Sequence, residues 1–440
     1  MNCHTMGGRN QPPACSPAVT SYLPNLGSRQ LSHDPLQGLS RLQEQCYGLP
    51  SVVRRLSLQH RLEAHEGCVN CINFSGSGQL LASGSDDLHV VVWDWERGRM
   101  VSKLESGHIS NIFQAKFMPY TGESVLVTAA RDGQVRCLIL SSTGSLVASK
   151  RVALHNDSAH KIALEPYSPD MFLSCGEDGS VLEVDLREEA KRNKLLVVKN
   201  EKRSRIPLYS IFIDPCNTHL FAVSGRDQFA RVYDRRKLKQ DHTSDFVPLK
   251  KFCPKHLTSP ENEHMRANVT CLVYSHNGDE LLCSYNDEDI YLFNTRDESK
   301  ADDFIKRYQG HRNSATVKGV NFFGLRSEYV VSGSDCGHVF LWDKTSQQVV
   351  QMLEGDHEGV VNCLEPHPHT PVLATSGLDH DIKIWSPCAS QPTSLDQLDE
   401  VTKRNCNERE DAMTHPMDGY EMLMQFIVRQ YRRGIRVSMT

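Results

Sequence analysis

The sequence predicts an all-β chain, a seven-bladed β-propeller with a disordered N-terminal tail and a short helical C-terminal extension. Three observations predict it. One pattern recurs seven times between Glu63 and Trp385: a strand, a small-residue turn with an Asp, and then an aromatic or apolar position often followed by Asp. The copies are spaced by about 40–50 residues, the period of blades that cannot bury their faces alone and must stack on one another. The strands read Val-Val-Val, Arg-Val-Tyr, Tyr-Leu-Phe, Phe-Leu-Trp and Lys-Ile-Trp, β-branched and aromatic runs bounded by Gly and Asp turns.

In chain order, residues 1–50 come first. They are rich in Pro, Gly, Ser, Asn and Gln and read as a disordered tail with a short helix around Leu36–Cys46. Ser51–Leu62 precedes the first repeat. It is expected to supply the outer strand of the last blade, because Trp385 ends that blade's third strand and Pro387 then breaks the chain. The first repeat, Ala82 to Asp94, reads Ala-Ser-Gly-Ser-Asp-Asp-Leu-His-Val-Val-Val-Trp-Asp. With its companions it carries the Gly-His…Trp-Asp vocabulary of a WD repeat.

The turn aspartates align as Asp87, Asp132, Asp178, Asp227, Asp287 and Asp379. In the sixth copy the slot holds Cys336, with Asp335 one place early. The strand-end positions are Trp93, Leu138, Val184, Tyr233, Phe293, Trp342 and Trp385. Leading histidines are His65, His108 and His311, with His155 and His357 as weaker matches; blades four and five show none. A His before the first strand is expected to bond the turn Asp, so these pairs read as structural.

Two insertions interrupt the ring. Glu188–Arg205 is basic (Lys191, Arg192, Lys194, Lys199, Lys202, Arg203, Arg205) and contains Leu195-Leu196-Val197-Val198, a candidate outer strand for blade three. Arg236 to about Asn268 lengthens the path between blades four and five. The propeller is expected over 51–387, and a linker with a helical segment over 388–440. In that last stretch Met422, Leu423, Phe426, Ile427 and Tyr431 fall at helical spacing.

Net charge is −5 and the pI is near 6.5, so overall charge does not point to nucleic acid. No apolar run approaches the ~20 residues that span a bilayer, and the N-terminus lacks a signal-peptide pattern. Fifteen cysteines scattered through strands read as free buried thiols of an intracellular protein, nuclear and cytoplasmic.

No enzyme motif stands out, and no catalytic residue, cofactor or metal ligand is expected. Cys68-Val-Asn-Cys71 lacks further ligands, and residues three apart on a strand face opposite ways. Cys253-Pro-Lys-His256, with His264 nearby, could hold zinc but reads better as a solvated insertion. His367-Pro-His369 reads as an inter-strand turn. Lys191–Arg205 could meet an acidic partner, though charges beside an edge strand also guard against aggregation.

The informative departures are Val184-Asp185-Leu186-Arg187 and Tyr233-Asp234-Arg235-Arg236, which end the third strands of two successive blades. An Arg just past the strand end lies at the rim, where its planar five-donor group can grip a partner's carboxylates or carbonyls. An ion pair with Asp185 or Asp234 is the alternative.

This doubled [aromatic/apolar]-Asp-x-Arg is similar to the DWD box (WDxR signature) of substrate receptors for cullin 4 RING ubiquitin ligases. The chain resembles the branch called DDB1- and CUL4-associated factor eight, or a close paralogue, over about His60 to Trp385. Ser106-Gly-His, Ala129-Ala-Arg-Asp-Gly-Gln-Val-Arg136, Asn286-Asp-Glu-Asp-Ile-Tyr-Leu-Phe293, Gly310-His-Arg-Asn, Ser332-Gly-Ser-Asp-Cys-Gly-His338 and Leu364-Glu-Pro-His-Pro-His369 carry the likeness. The resemblance implies a non-catalytic ligase subunit. Arg187 and Arg236, set by Asp185 and Asp234, would dock on the adaptor DDB1, and through it on cullin 4 and a RING protein, while another surface holds an unknown protein substrate. It implies no direct nucleic-acid or membrane partner. Three rival readings stand beside it: a WD scaffold or peptide reader outside the ubiquitin system, an enzyme with a metal at Cys253/His256, and a nucleic-acid-associated protein using Lys191–Arg205.

Overall fold

The computed structural model describes residues 47–188, 193–238, 246–258, 267–296, 303–356 and 359–414. Seven four-stranded antiparallel sheets follow one another around a ring. Blade one is Val69–Phe74, Leu81–Ser85, His89–Asp94 and Arg99–Glu105; blade two is Ile112–Phe117, Val125–Ala130, Gln134–Leu140 and Leu146–Leu154. Blade three is Ala159–Leu164, Met171–Gly176, Ser180–Asp185 and Asn193–Val197; blade four is Leu208–Ile213, Leu220–Gly225, Ala230–Asp234 and Lys250–Phe252. Blade five is Val269–Tyr274, Glu280–Tyr285, Ile290–Asn294 and Lys306–Tyr308; blade six is Val320–Phe323, Tyr329–Gly333, His338–Asp343 and Val349–Glu354.

Blade seven takes Val361–Pro366, Leu373–Gly377 and Asp381–Ser386 from its own sequence and its outer strand, Ser57–Glu63, from before blade one. The expected ring closure is thus present, with Leu62 opposite Ile382 and Glu63 opposite Asp381. The first half of the expected segment is instead a helical turn, Pro50–Val53, because Pro at N1 favours a helix start. The outer strand of blade three falls at Asn193–Val197, one or two residues from the expected run. The closing strand covers the outer edge of Asp381–Ser386, which would otherwise stay unpaired.

The core is divided among the seven blade-to-blade interfaces, each with its own buried cluster. Trp93, Val91 and Leu81 of blade one pack against Ile382, Ile384 and Ala374 of blade seven. Trp342 and Phe340 of blade six pack against Leu282 and Leu292 of blade five. Each inner strand is apolar on both sides because both sheet faces are covered, which is why strict alternation is weak in the sequence. Gly133, directly after turn residue Asp132, has φ +76°, and a Cβ there would lie 2.7 Å from the His155 carbonyl.

A 17-residue helix, Leu398–Thr414, follows the ring and lies on blades five and six, with Val401 and Leu398 in their shared cluster. The helices expected around Leu36–Cys46 and over Gly419–Arg433 lie outside the described residues. At the other end Tyr47 and Gly48 are already docked: the Tyr47 hydroxyl donates to the His367 carbonyl at 2.6 Å, and Tyr329 donates to Gly48 at 2.9 Å.

Candidate functional site

Each second strand enters its third through the turn that carries the repeat's Asp, on one face of the ring. The third strand then runs back, so its end lies on the opposite face, together with the turn between the first and second strands.

The Asp face is structural in blades one to three. His65 Nδ1 meets Asp87 at 3.0 Å, its Nε2 meets Ser83 Oγ at 2.8 Å, and Trp93 Nε1 donates to that same Oγ at 2.9 Å. His108–Asp132 at 3.2 Å and His155–Asp178 at 3.1 Å repeat the pair. Burial pushes the Asp87 carboxyl up, but the His65 bond and the N–H donors of His89 and Glu66 outweigh it and hold it below the usual range. The expected His–Asp bond is therefore present for His65, His108 and His155, whereas leading His311 of blade six does not make it: neither of its ring nitrogens has a hydrogen-bond partner among the described residues.

In blades four, six and seven a basic residue takes over the role. Arg231 grips Asp227 from the third strand of blade four, four residues on, at 2.9 Å. Lys383 sits at the same offset from Asp379 in blade seven (3.4 Å) and also bonds Asp356 and Asp381, each at 2.6 Å. The three carboxylates come within 4.8 Å of one another, as a metal site would require. The Lys383 ammonium occupies the cation position, so a side chain balances the cluster. In the sixth blade Asp335 pairs with the buried Lys318, while His311 packs edge-on against Trp342, ring centroids 5.6 Å apart. His357 lies outside the described residues.

On the opposite face stand Arg187 and Arg236. Asp185 Oδ1 accepts the backbone N–H of Arg187 at 3.0 Å and its Nε at 3.0 Å, while Oδ2 accepts Nη2 at 2.7 Å. Asp234 treats Arg236 identically, at 3.0, 3.0 and 2.8 Å. Each Asp thus closes a local turn and holds one edge of the guanidinium. The arginine side chains remain 67% and 60% exposed. The Arg236 bonds hold the Asp234 carboxyl down at about 2, and Arg187 lowers Asp185 in the same way. The two expected sites are therefore alike in geometry and share one face. The ion-pair alternative is present in both units, with one edge of each guanidinium paired to its Asp while the side chain is still open to solvent.

Four residues here were not anticipated. Phe293-Asn294-Thr295-Arg296 ends the third strand of blade five, and Asn294 Oδ1 accepts the Arg296 N–H at 2.9 Å, as the two Asp do. Arg296 is 68% exposed and pairs with Asp279. The signal was present as an aromatic-Asn-x-Arg, with Asn in place of Asp. Three consecutive blades therefore present an arginine at this place. Arg235, by contrast, turns inward and ties blade four to blade three through Glu165 at 2.7 Å and Glu183, while also donating to the Thr218 carbonyl of its own blade at 3.2 Å. Tyr120 and Tyr167, both well exposed, lie in the first turns of blades two and three on the arginine face.

The other sequence candidates do not assemble. Cys71 is buried and donates to the Gly84 carbonyl at 3.7 Å. Cys253 is buried and turned onto the Pro254 carbonyl, whereas His256 faces Tyr291 at 3.2 Å; His264 lies outside the described residues. His367 is not a loose loop residue. It is buried, with Nε2 2.9 Å from the Gly78 carbonyl, between blades seven and one.

A family model described as "WD domain, G-beta repeat" matches residues 56–94, 302–343 and 347–386. The matches begin in an outer strand and run through three strands of the next blade. Protein ALTERED SEED GERMINATION 2 of Arabidopsis thaliana is 33% identical over 275 residues, covering 56% of this chain and 36% of that protein. WD and tetratricopeptide repeats protein 1 of Homo sapiens is 30% identical over 598 residues, covering 80% of this chain and 87% of that protein. DDB1- and CUL4-associated factor 6 of Mus musculus is 32% identical over 310 residues, covering 68% of this chain and 34% of that protein. The chain thus spans about a third of the length of the first and third of these relatives.

Proposed function

We infer the function from family and geometry together: this chain belongs to the WD-repeat family, and a substrate receptor of a cullin 4 RING ubiquitin ligase is the role its arginine face supports best. The observation that carries the reading is the pair of Asp-x-Arg units with matching hydrogen bonds, Asp185/Arg187 and Asp234/Arg236, whose arginines are exposed on one face of consecutive blades. The name of the factor 6 relative associates that protein with DDB1 and CUL4, and the same association is proposed for this chain. The Ser332–His338 motif further supports a place in the factor-eight branch.

In this reading the protein performs no chemistry. Arg187 and Arg236 dock on DDB1, each held by its Asp so that little rotamer freedom is lost on binding. Tyr120 and Tyr167 add aromatic contact area on that face. Cullin 4 and a RING protein follow through the adaptor. A protein substrate held elsewhere on the propeller then sees a ubiquitin-loaded enzyme at raised effective concentration. The nucleus and cytoplasm are the proposed sites of action.

The test is a pull-down from cell lysate with wild type, Arg187→Ala, Arg236→Ala and the double variant, probed for DDB1 and cullin 4. Capture by wild type and loss in variants with unchanged melting curves is the expected result. A folded double variant that captures DDB1 as well as wild type would overturn the reading.

A further inference from the structure

The seven first strands ring a central channel, and one wall of it is chemically unfinished. Gln114 and Lys116 stand two apart on the first strand of blade two, so both side chains face the channel. Lys161, on the first strand of blade three, lines the same space. Gln114 is only 5% exposed, and its amide has no hydrogen-bond partner among the described residues. Neither lysine has a carboxylate of the described residues within ion-pair reach. These polar groups open onto the channel, where a ligand or ordered water can reach them.

One carboxylate faces the same space and is oriented by two amides. Glu365 of blade seven accepts from Asn73 at 3.0 Å and from Asn321 at 3.4 Å. The nearby thiols are turned onto backbone carbonyls: Cys271 onto Val320 at 3.8 Å and Cys363 onto Asn70 at 2.5 Å. Glu365 acts on both lysines and offsets part of their charge, so two ammonium groups share the space with one carboxylate. The cavity is about 80 Å³, enough for one small oxyanion or the end of an acidic side chain. Phe113 stacks on His160 (4.9 Å) and His160 meets Tyr209 edge-on (5.2 Å), giving an aromatic cluster beside the wall.

We propose that Gln114, Lys116 and Lys161 form an oxyanion-binding site in the channel, which takes a phosphate or carboxylate group carried by a free small molecule or by an acidic side chain of a peptide. Lys116 and Lys161 supply charge-assisted donors and Gln114 a neutral one. Glu365 limits the net charge of the site and so selects for a single anionic group. This site lies in the channel rather than at the rim arginines, and it does not depend on DDB1 docking.

The experiment is a thermal-unfolding titration of the full chain at constant ionic strength. One arm uses inorganic phosphate against chloride, and the other a Glu-rich peptide against the matching Gln-rich peptide. Ligand that binds only the folded state raises the midpoint. Stabilisation of the wild type by phosphate would assign a free anion; stabilisation by the Glu peptide alone would assign an acidic side chain. In either case affinity falls about tenfold or more in Lys116→Gln/Lys161→Gln and strengthens in Glu365→Gln, with all variants matched to wild type by circular dichroism in chloride. Absence of a shift in both arms, or equal shifts in wild type and double variant, would overturn the proposal.

Discussion

Arg236 and Asp234 are joined side-on by two parallel hydrogen bonds, Nε to Oδ1 at 3.0 Å and Nη2 to Oδ2 at 2.8 Å, and Arg187 and Asp185 repeat the arrangement one blade earlier. Two parallel bonds need a planar fork, which lysine lacks. If the fork positions the group for docking, Arg187→Lys/Arg236→Lys keeps the charge yet loses DDB1 capture nearly as fully as the alanine pair. Surface plasmon resonance with purified DDB1 measures this. Full retention by the lysine variant would mean that charge alone suffices and that the Asp partners have no orienting role.

Arg235 and Arg236 are neighbours with opposite fates. Arg235 is largely buried between Glu165 and Glu183, so its removal strands two carboxylates at a blade interface. Arg235→Ala is expected to cost about 3 kcal/mol in urea unfolding, typical of breaking a buried pair. Arg236→Ala, at the exposed rim, is expected to leave the unfolding midpoint where it was. Equal midpoints for the two variants would show that the Arg235 tie contributes nothing net.

Much of this was legible in sequence because the repeat works locally. An Asp turn, an aromatic strand end and a leading His specify one blade each, and stacking does the rest, so His65–Asp87 and His155–Asp178 could be read in advance. Arg231 and Lys383 could not, because they reach the turn Asp from the third strand, where a basic residue in an apolar run looks like an interruption. Arg296 was hidden by Asn294 standing where Asp was sought. The channel wall depends on which blades become neighbours and how their first strands align, and no single repeat contains that information.

The buried carboxylates predict two opposite responses to pH. Asp87 and Asp178 are held below the usual range in the fold. Their contribution is full above the unfolded value of about 4 and is lost as pH falls through the folded values. Asp356 is the reverse. Burial raises it, and so does Asp379, while Lys383 only partly offsets them. The folded state therefore keeps that proton after the unfolded chain has lost it, and this group's contribution declines as pH rises above about 4. Urea unfolding of Asp178→Asn from pH 7 down to 3 is expected to show a shallower acid loss than wild type. Asp356→Asn is expected to lack the decline on the way up. Profiles parallel to wild type for either variant would contradict these assignments.

The helix Leu398–Thr414 is joined to the ring by both apolar and ionic contacts, which sets what its loss should cost. Val401 is buried in the cluster that holds Trp342. Arg409 donates to Asp289 at 2.7 Å, Asn405 to the Gly310 carbonyl at 2.8 Å, and Arg312 reaches back to Glu408. Asp289 keeps Arg307 at 2.7 Å and Gln309 at 2.9 Å, so Arg409→Ala leaves it partnered and is expected to cost about 1 kcal/mol. Ending the chain at Gln397 uncovers the apolar seam as well, and burial of two aliphatic side chains is worth about 3–6 kcal/mol. The truncated chain is therefore expected to unfold at clearly lower urea than wild type, with Arg409→Ala close to wild type. A truncated chain with the wild-type midpoint would show that the helix rests on blades five and six without stabilising them.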